Sequence, residues 1–269
     1  MLSFFDRLSR AFITAWSYFF FALGCILWGV LVIPLTVVLS HFWPSVRDWF
    51  SDCTHIAIRI FVGLLPFVKL RVDRSRRLGD EFCVLVVNHQ SWLDPLVMLA
   101  LERRLSGPAR GYLFRVPVMG TVLKLGRFYL SEKGEPAPLD RMRRGAKEAL
   151  EHRGTLLFFP EGTRTKTGEI DHFHMGAFRM AVEYQLPIQP VVIEGLYHVF
   201  PSGSPIVRAR GRYPVRVHYL DPVKPPYGEG SQRRVVRELA QKVHLSMVEE
   251  LNRLKMDRAS TGQEQPDNV

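Results

Sequence analysis

His89 follows a short apolar run, and Asp94 lies five positions further on, in the segment VLVVNHQSWLD from Val84 to Asp94. An imidazole with one ring nitrogen held by a carboxylate has its tautomer fixed. Its other nitrogen is then free to accept a proton. Such a pair is half of a general-base constellation, able to activate a hydroxyl. A histidine before a helix is more often a cap or an ordinary surface residue, so the spacing alone is a weak signal. A second loop strengthens it. In LLFFPEGTR, another apolar run stops at Pro160 and is followed by Glu161, Gly162, Thr163 and Arg164. Gly162 permits close backbone approach or a positive φ, and Arg164 offers a planar fork suited to phosphate.

The surrounding pattern predicts how these loops are held. Val84–Val87 is continuously aliphatic and reads as a buried strand that ends at the site. Helical apolar spacing from Leu93 to Leu105 puts Asp94 at a helix start just before Pro95, where a negative charge suits the positive helix end. Strands are predicted at Lys69–Asp73, Cys83–Asn88 (which contains that run), Gly111–Phe114, Phe128–Ser131, Leu156–Phe159, Pro190–Ile193 and Val215–Leu220. Helices are predicted at Pro117–Leu125, Leu139–His152, Phe173–Tyr184 and Gln232–Leu254. This alternation describes an α/β fold, a mixed sheet flanked by helices with the functional loops at strand ends. Gly134, Pro136 and Pro138 make Glu132–Pro138 a loop.

The two loops resemble those of the glycerophospholipid acyltransferases, the family that contains the 1-acylglycerol-3-phosphate acyltransferases. Asn88, His89, Ser91 and Asp94 match the family's first motif, Asn-His-x-Ser-x-x-Asp. Phe159 to Arg164 match its third, Phe-Pro-Glu-Gly-Thr-Arg, at every position, and Ile188–Ile193 looks like the fourth. Order and spacing fit from Lys69 to Asp221. The resemblance implies a glycerol-3-phosphate acyltransferase-like fold. It casts His89 and Asp94 as catalytic, and Glu161, Gly162, Thr163 and Arg164 as acceptor-binding. It also implies a lysophospholipid acceptor, with acyl-CoA or acyl carrier protein as co-substrate and no cofactor.

The second motif departs from the family pattern. Gly126-Arg127-Phe128-Tyr129-Leu130-Ser131-Glu132 carries an acid where relatives have the arginine that helps hold the acceptor phosphate. Arg127 and Lys133 are the cations that could substitute for it, and an acceptor other than 1-acyl-sn-glycerol-3-phosphate, such as an amino-acid lysolipid, stays open. His174 likewise stands where relatives often carry lysine. The implied chemistry needs no serine nucleophile, because the acceptor hydroxyl attacks the thioester itself once a base removes its proton. The chain contains no Gly-x-Ser-x-Gly elbow. Backbone N–H groups after His89 are candidates for the oxyanion donors.

The formal net charge of +10 suits nucleic acid or an anionic membrane. No helix-turn-helix, zinc or RNP-type signature accompanies that charge, so no nucleic-acid partner is expected. A bilayer is the better partner, because Ala11–Ser40 carries no charged residue. As a helix these 30 residues would run ~45 Å, longer than a ~30 Å hydrocarbon core. Pro34 is expected to bend or end that helix. Ile56–Val68, with only Arg59 charged, reads as a helix in or near the interface. Residues 1–68 are therefore expected to form a membrane-anchoring helical segment and 69–256 the catalytic domain, with a polar, disordered tail at 257–269. The basic catalytic part belongs on the cytoplasmic side of a membrane, the inner membrane if the source is bacterial.

Cys25, Cys53 and Cys83 are widely spaced and read as small buried hydrophobes in a reducing compartment. No Cys/His cluster has metal-ligand spacing, and Gly228-Glu229-Gly230 lacks the pattern of a dinucleotide loop. Two function classes remain: a membrane-bound acyltransferase, and a non-catalytic lipid-binding scaffold that kept the fold.

Overall fold

The computed structural model describes residues 4–43, 45–79, 81–131, 139–152, 154–201, 203–204, 206–209, 211–226 and 232–260. Glu132 and Lys133, the predicted loop to Pro138 and the tail from 261 lie outside the described residues. The chain begins with α1 (Phe4–Leu27), a π-helical turn (Trp28–Val32), α2 (Ile33–Ser40) and α3 (Val46–Leu64). Then come β1 (Val68–Asp73), β2 (Val84–Val87), α4 (Asp94–Leu101), β3 (Leu105–Ser106), β4 (Pro108–Arg110) and a 3-10 turn (Gly111–Arg115). The middle of the chain forms α5 (Met119–Leu125), β5 (Tyr129–Ser131), α6 (Leu139–Glu151), β6 (Thr155–Phe158) and α7 (Gly176–Glu183). It finishes with β7 (Ile188–Glu194), α8 (Leu196–Val199), β8 (Tyr213–Tyr219) and α9 (Gln232–Ser260).

These elements fall into two compact units. The first contains residues 1–16, 65–95 and 159–269. Its strands run in the order β1-β8-β7-β2, with β1 parallel to β8, β8 antiparallel to β7, and β7 parallel to β2. β2 and β7 are buried along their whole length, which explains the aliphatic run of β2 and the Val191–Ile193 stretch of β7. Helix α9 packs on β7, and α7 packs on β2 and α9. The expected mixed sheet flanked by helices is present. The end of α9 is pinned by Arg258, which donates to Glu194 and, at 3.1 Å, to the Tyr213 hydroxyl.

The second unit contains residues 17–64 and 96–158. Two parallel strand pairs, β3 with β6 and β4 with β5, carry α6 against β5 and β6. Helix α3 is tied down by polar contacts. Asp52 meets Arg103 at 2.8 Å and Arg104 at 3.1 Å. Trp28 Nε1 donates to Thr54 Oγ1 at 3.2 Å. α3 also exposes Trp49, Ile56, Ile60 and Leu64, an apolar stripe at helical spacing.

Several expectations are corrected. Gly111–Phe114 is a 3-10 turn, and the strands come earlier, at β3 and β4. Both are too short for a period-2 pattern to register. Between them Gly107 passes so close to Leu157 that a Cβ would lie 2.2 Å from its carbonyl oxygen. The helix predicted to reach Leu105 stops at Leu101, because Leu105 pairs with Thr155 in the sheet. α9 continues to Ser260, four residues into the tail assigned to disorder on polarity alone. Pro34 does not end the N-terminal helix. Proline lacks an N–H and crowds the carbonyl four residues back, and the π-helical turn at Trp28–Val32 absorbs that defect directly before α2. Phe5–Ser40 is accordingly one helical stretch long and apolar enough to cross a membrane.

Candidate active site

The first unit brings both polar loops together. Strand β2 ends at Val87, and Asn88 extends its pairing with β7 through a side chain. Asn88 Nδ2 donates to the Ile193 carbonyl at 2.9 Å, and the Ile193 N–H donates to Asn88 Oδ1 at 2.7 Å. Asn88 thus acts as a substitute ladder residue, fixing where the chain leaves the sheet. Ser91 Oγ donates to the Phe200 carbonyl at 2.6 Å and anchors the far side of the loop.

Asp94 opens α4 as its first residue, with Pro95 in the first turn, where a missing N–H costs nothing. Its carboxylate is fully buried. Oδ2 accepts from His89 Nδ1 at 2.8 Å and from the N–H groups of Gln90 at 2.6 Å and Ser91 at 2.7 Å. Burial pushes the Asp94 carboxyl upward, and these donors, the His89 ring foremost, pull against it. Three convergent donors require an acceptor oxygen, so Nδ1 carries the proton of the imidazole and Nε2 its lone pair. Nε2 has no hydrogen-bond partner among the described residues. The side chain of His89 keeps 17% exposure, a lone pair within reach of a ligand.

The second loop braces the first. Glu161 Oε1 accepts the His89 N–H at 2.8 Å, and Oε2 accepts the Asp171 N–H at 3.1 Å. The Thr165 N–H donates to the His89 carbonyl at 2.8 Å. The peptide groups on both sides of His89 are therefore held by the same loop. Phe159 stacks on the imidazole, with ring centroids 4.3 Å apart and planes inclined by 28°. Burial raises the Glu161 pKa to about 7, against the pull of the two N–H donors and with a further push from Asp94.

Gly162 takes a φ of +68°, and a Cβ there would lie 2.9 Å from His174 Cδ2. Glycine is needed on both counts. His174 therefore sits directly over this loop, its own N–H donating to the Pro160 carbonyl at 2.8 Å. Thr163 is exposed and Arg164 half-buried. Among the described residues the Arg164 guanidinium has no ion-pair partner, and the N–H groups of Thr163 and Arg164 donate no hydrogen bond to the fold.

The remaining site expectations divide as follows. Glu161 accepts one backbone N–H at each oxygen, from His89 and from Asp171, so within the fold it braces the loop. The N–H groups of Gln90 and Ser91 are spent on Asp94, and that of His89 on Glu161, so the loop after His89 has no free oxyanion donors at these positions. In the second unit, Arg127 is buried and donates to Asp48 at 2.8 Å, with Glu148 3.7 Å away. Its guanidinium is a strut between α3 and the end of α5, not a free phosphate handle. Among the described residues no group of three or more His, Cys, Asp or Glu side chains is placed to hold a metal. His172 instead bonds Asp171 at 3.0 Å. Sequence reasoning missed the positioning roles of Phe159 and Thr165. Phe159 is visible as the first residue of the matched motif, whereas a backbone donor such as Thr165 leaves no side-chain signal.

A family model described as Acyltransferase matches residues 69–194. The 1-acyl-sn-glycerol-3-phosphate acyltransferase of Helicobacter pylori is 30% identical, over 83% of this chain and 92% of that protein. A chloroplastic 1-acyl-sn-glycerol-3-phosphate acyltransferase of Brassica napus is 29% identical over 76% of this chain. The chain spans 60% of the length of that plant relative. The crystal structure of the 1-acyl-sn-glycerophosphate acyltransferase from Thermotoga maritima superposes with a TM-score of 0.71. That alignment covers 93% of this chain and 98% of that one at 20% identity, a likeness of fold.

Proposed function

The chain belongs to the glycerophospholipid acyltransferase family, and from that premise we propose that it carries an acyl group from a thioester to the free hydroxyl of a lysophospholipid. The acceptor we favour is 1-acyl-sn-glycerol-3-phosphate, which would give phosphatidic acid. The donor is acyl-CoA or the thioester of acyl carrier protein. The observation that carries this reading is the His89 imidazole, held at Nδ1 by Asp94 and, among the described residues, unpartnered at Nε2.

His89 Nε2 takes the hydroxyl proton as the acceptor oxygen attacks the thioester carbonyl. Asp94 stabilises the imidazolium that forms. When the tetrahedral intermediate collapses, the C–S bond breaks and the imidazolium returns its proton to the departing thiolate. No covalent acyl-enzyme is required. Glu161, Thr165 and Phe159 hold the base in one place, and such positioning is a large part of the rate when two amphiphiles must meet in register. Arg164, without an ion-pair partner among the described residues, supplies the fork for the acceptor phosphate.

Membrane attachment through Phe5–Ser40 would keep the protein at the surface that holds a lipid acceptor. The charge of +10 suits the anionic cytoplasmic leaflet. An acceptor screen with one fixed thioester tests the reading. Wild type should acylate phosphorylated lysolipid best, and Arg164→Ala should raise KM for that acceptor at least tenfold while sparing an uncharged one. Equal KM values in the two proteins would reject the phosphate handle.

A further inference from the structure

We propose that the segment from Tyr112 to Val118 is a separate membrane contact, a rigid wedge that seats in the headgroup layer of a phospholipid bilayer. The inference extends the membrane placement of the apolar N-terminal helix and is carried by where the second unit puts this loop.

The first observation is the contact between the loop and that helix. Gly29 lies inside the uncharged stretch Ala11–Ser40, in the π-helical turn, and a Cβ there would come within 2.8 Å of Val118 Cγ2. Glycine is therefore what lets the loop touch the helix. The second observation is the backbone of Val118, with φ 65° and ψ −58°. A β-branched residue adopts a positive φ only when its surroundings impose it, and such strain clusters at functional segments.

The loop is also stiff. Its chain folds back so tightly that a Cβ on Gly120 would sit 2.2 Å from the Phe114 carbonyl oxygen. The Gly120 N–H closes onto Val116 at 2.9 Å and that of Met119 onto Pro117 at 2.7 Å. Immediately beyond, Arg47 donates to the Lys124 carbonyl at 3.0 Å, fixing α5 to the same α3 that exposes Trp49, Ile56, Ile60 and Leu64.

The third observation is what the wedge presents. Tyr112 is 62% exposed and Val116 44%, with Arg115 and Pro117 exposed between and beside them. An aromatic with a polar tip, an aliphatic side chain and a guanidinium fit the boundary where acyl chains meet phosphates. A bilayer is chosen over a protein partner because the patch is continuous with the apolar helix through Gly29.

Depth-dependent quenching tests this in the full chain reconstituted in phosphatidylcholine/phosphatidylglycerol vesicles. Val116→Cys, in a background with Cys25→Ala and Cys53→Ala, would carry an environment-sensitive fluorophore. Tyr112→Cys serves if Val116→Cys does not fold. A parallel probe at Phe19→Cys reports on the apolar helix. The expected result is a blue-shifted loop probe, quenched several-fold more by lipid-borne nitroxide than by aqueous iodide. A loop probe quenched by iodide while Phe19→Cys is quenched by the lipid overturns the wedge alone. Iodide quenching at both positions overturns the membrane placement and the wedge with it. None of these readouts needs turnover, so a failure of the acyl-transfer reading is scored separately.

Discussion

The N–H of His89 donates to Oε1 of Glu161 at 2.8 Å across 72 residues of chain, so the carboxylate of one loop fixes the main chain of the proposed base in the other. The two sequence motifs are thereby one structural object. The His89–Asp94 bond sets the ring, and the Glu161 bond sets the backbone from which the ring projects.

Replacing Glu161 should change the pH dependence of stability. Its pKa rises from 4.5 to about 7 on folding, so the folded state binds this proton more tightly than the unfolded chain. Stability from this group is full below pH 4.5 and is lost as pH climbs through about 7, a swing of about 3 kcal/mol. Glu161→Gln should flatten that slope when thermal midpoints in detergent are compared at pH 5 and pH 8. The variant should also slow turnover, because its amide NH2 meets the Asp171 N–H donor to donor. An unchanged slope would mean that Glu161 does not titrate in this range.

Asp94→Asn should keep the fold and lose the chemistry. An amide oxygen can still accept from Gln90 and Ser91, but the charge that stabilises an imidazolium is gone. A fall in kcat on the order of 100-fold or more is expected, within the range for general-base catalysis, with little change in KM. A variant as active as wild type would remove Asp94 from the mechanism.

Arg127 should behave as a structural residue. Its guanidinium is nearly fully buried against Asp48, and removing one member of such a pair costs about 3–5 kcal/mol. Arg127→Ala is therefore expected to lower the thermal midpoint sharply while the folded fraction keeps its KM for the phosphorylated acceptor. A selective rise in KM would return Arg127 to the acceptor site.

Asn88→Ala removes both side-chain bonds to Ile193 and leaves two buried backbone groups of β7 without partners. A loss of about 1–3 kcal/mol is expected for each group, read as a lower denaturation midpoint accompanied by lower activity. A stable, fully active Asn88→Ala would show that the β2 end is held by other contacts.

Much of this was legible in the chain. The aliphatic run at Val84–Val87 and the apolar stretch at Pro190–Ile193 announce buried strands, and His89, Asp94 and Phe159–Arg164 mark polar loops of the site. What stayed hidden depends on partners distant in sequence. The brace from Glu161 is one such case, because nothing local shows that its two oxygens meet the N–H groups of His89 and Asp171. Arg127 looked available because Asp48 lies 79 residues earlier. The short strands β3 and β4 carry too few residues for periodicity, and Gly111 begins a turn where aromatic neighbours suggested a strand. Pro34 signalled a break because the compensating π-helical turn has no sequence signature of its own.

His89 as the base is tested by the initial rate of acyl transfer from a thioester to lysophosphatidic acid by purified wild type and His89→Ala, compared at equal thermal midpoint. Near-complete loss is expected in the variant, a decrease of at least 100-fold. A His89→Ala protein that is folded and transfers at the wild-type rate would contradict it.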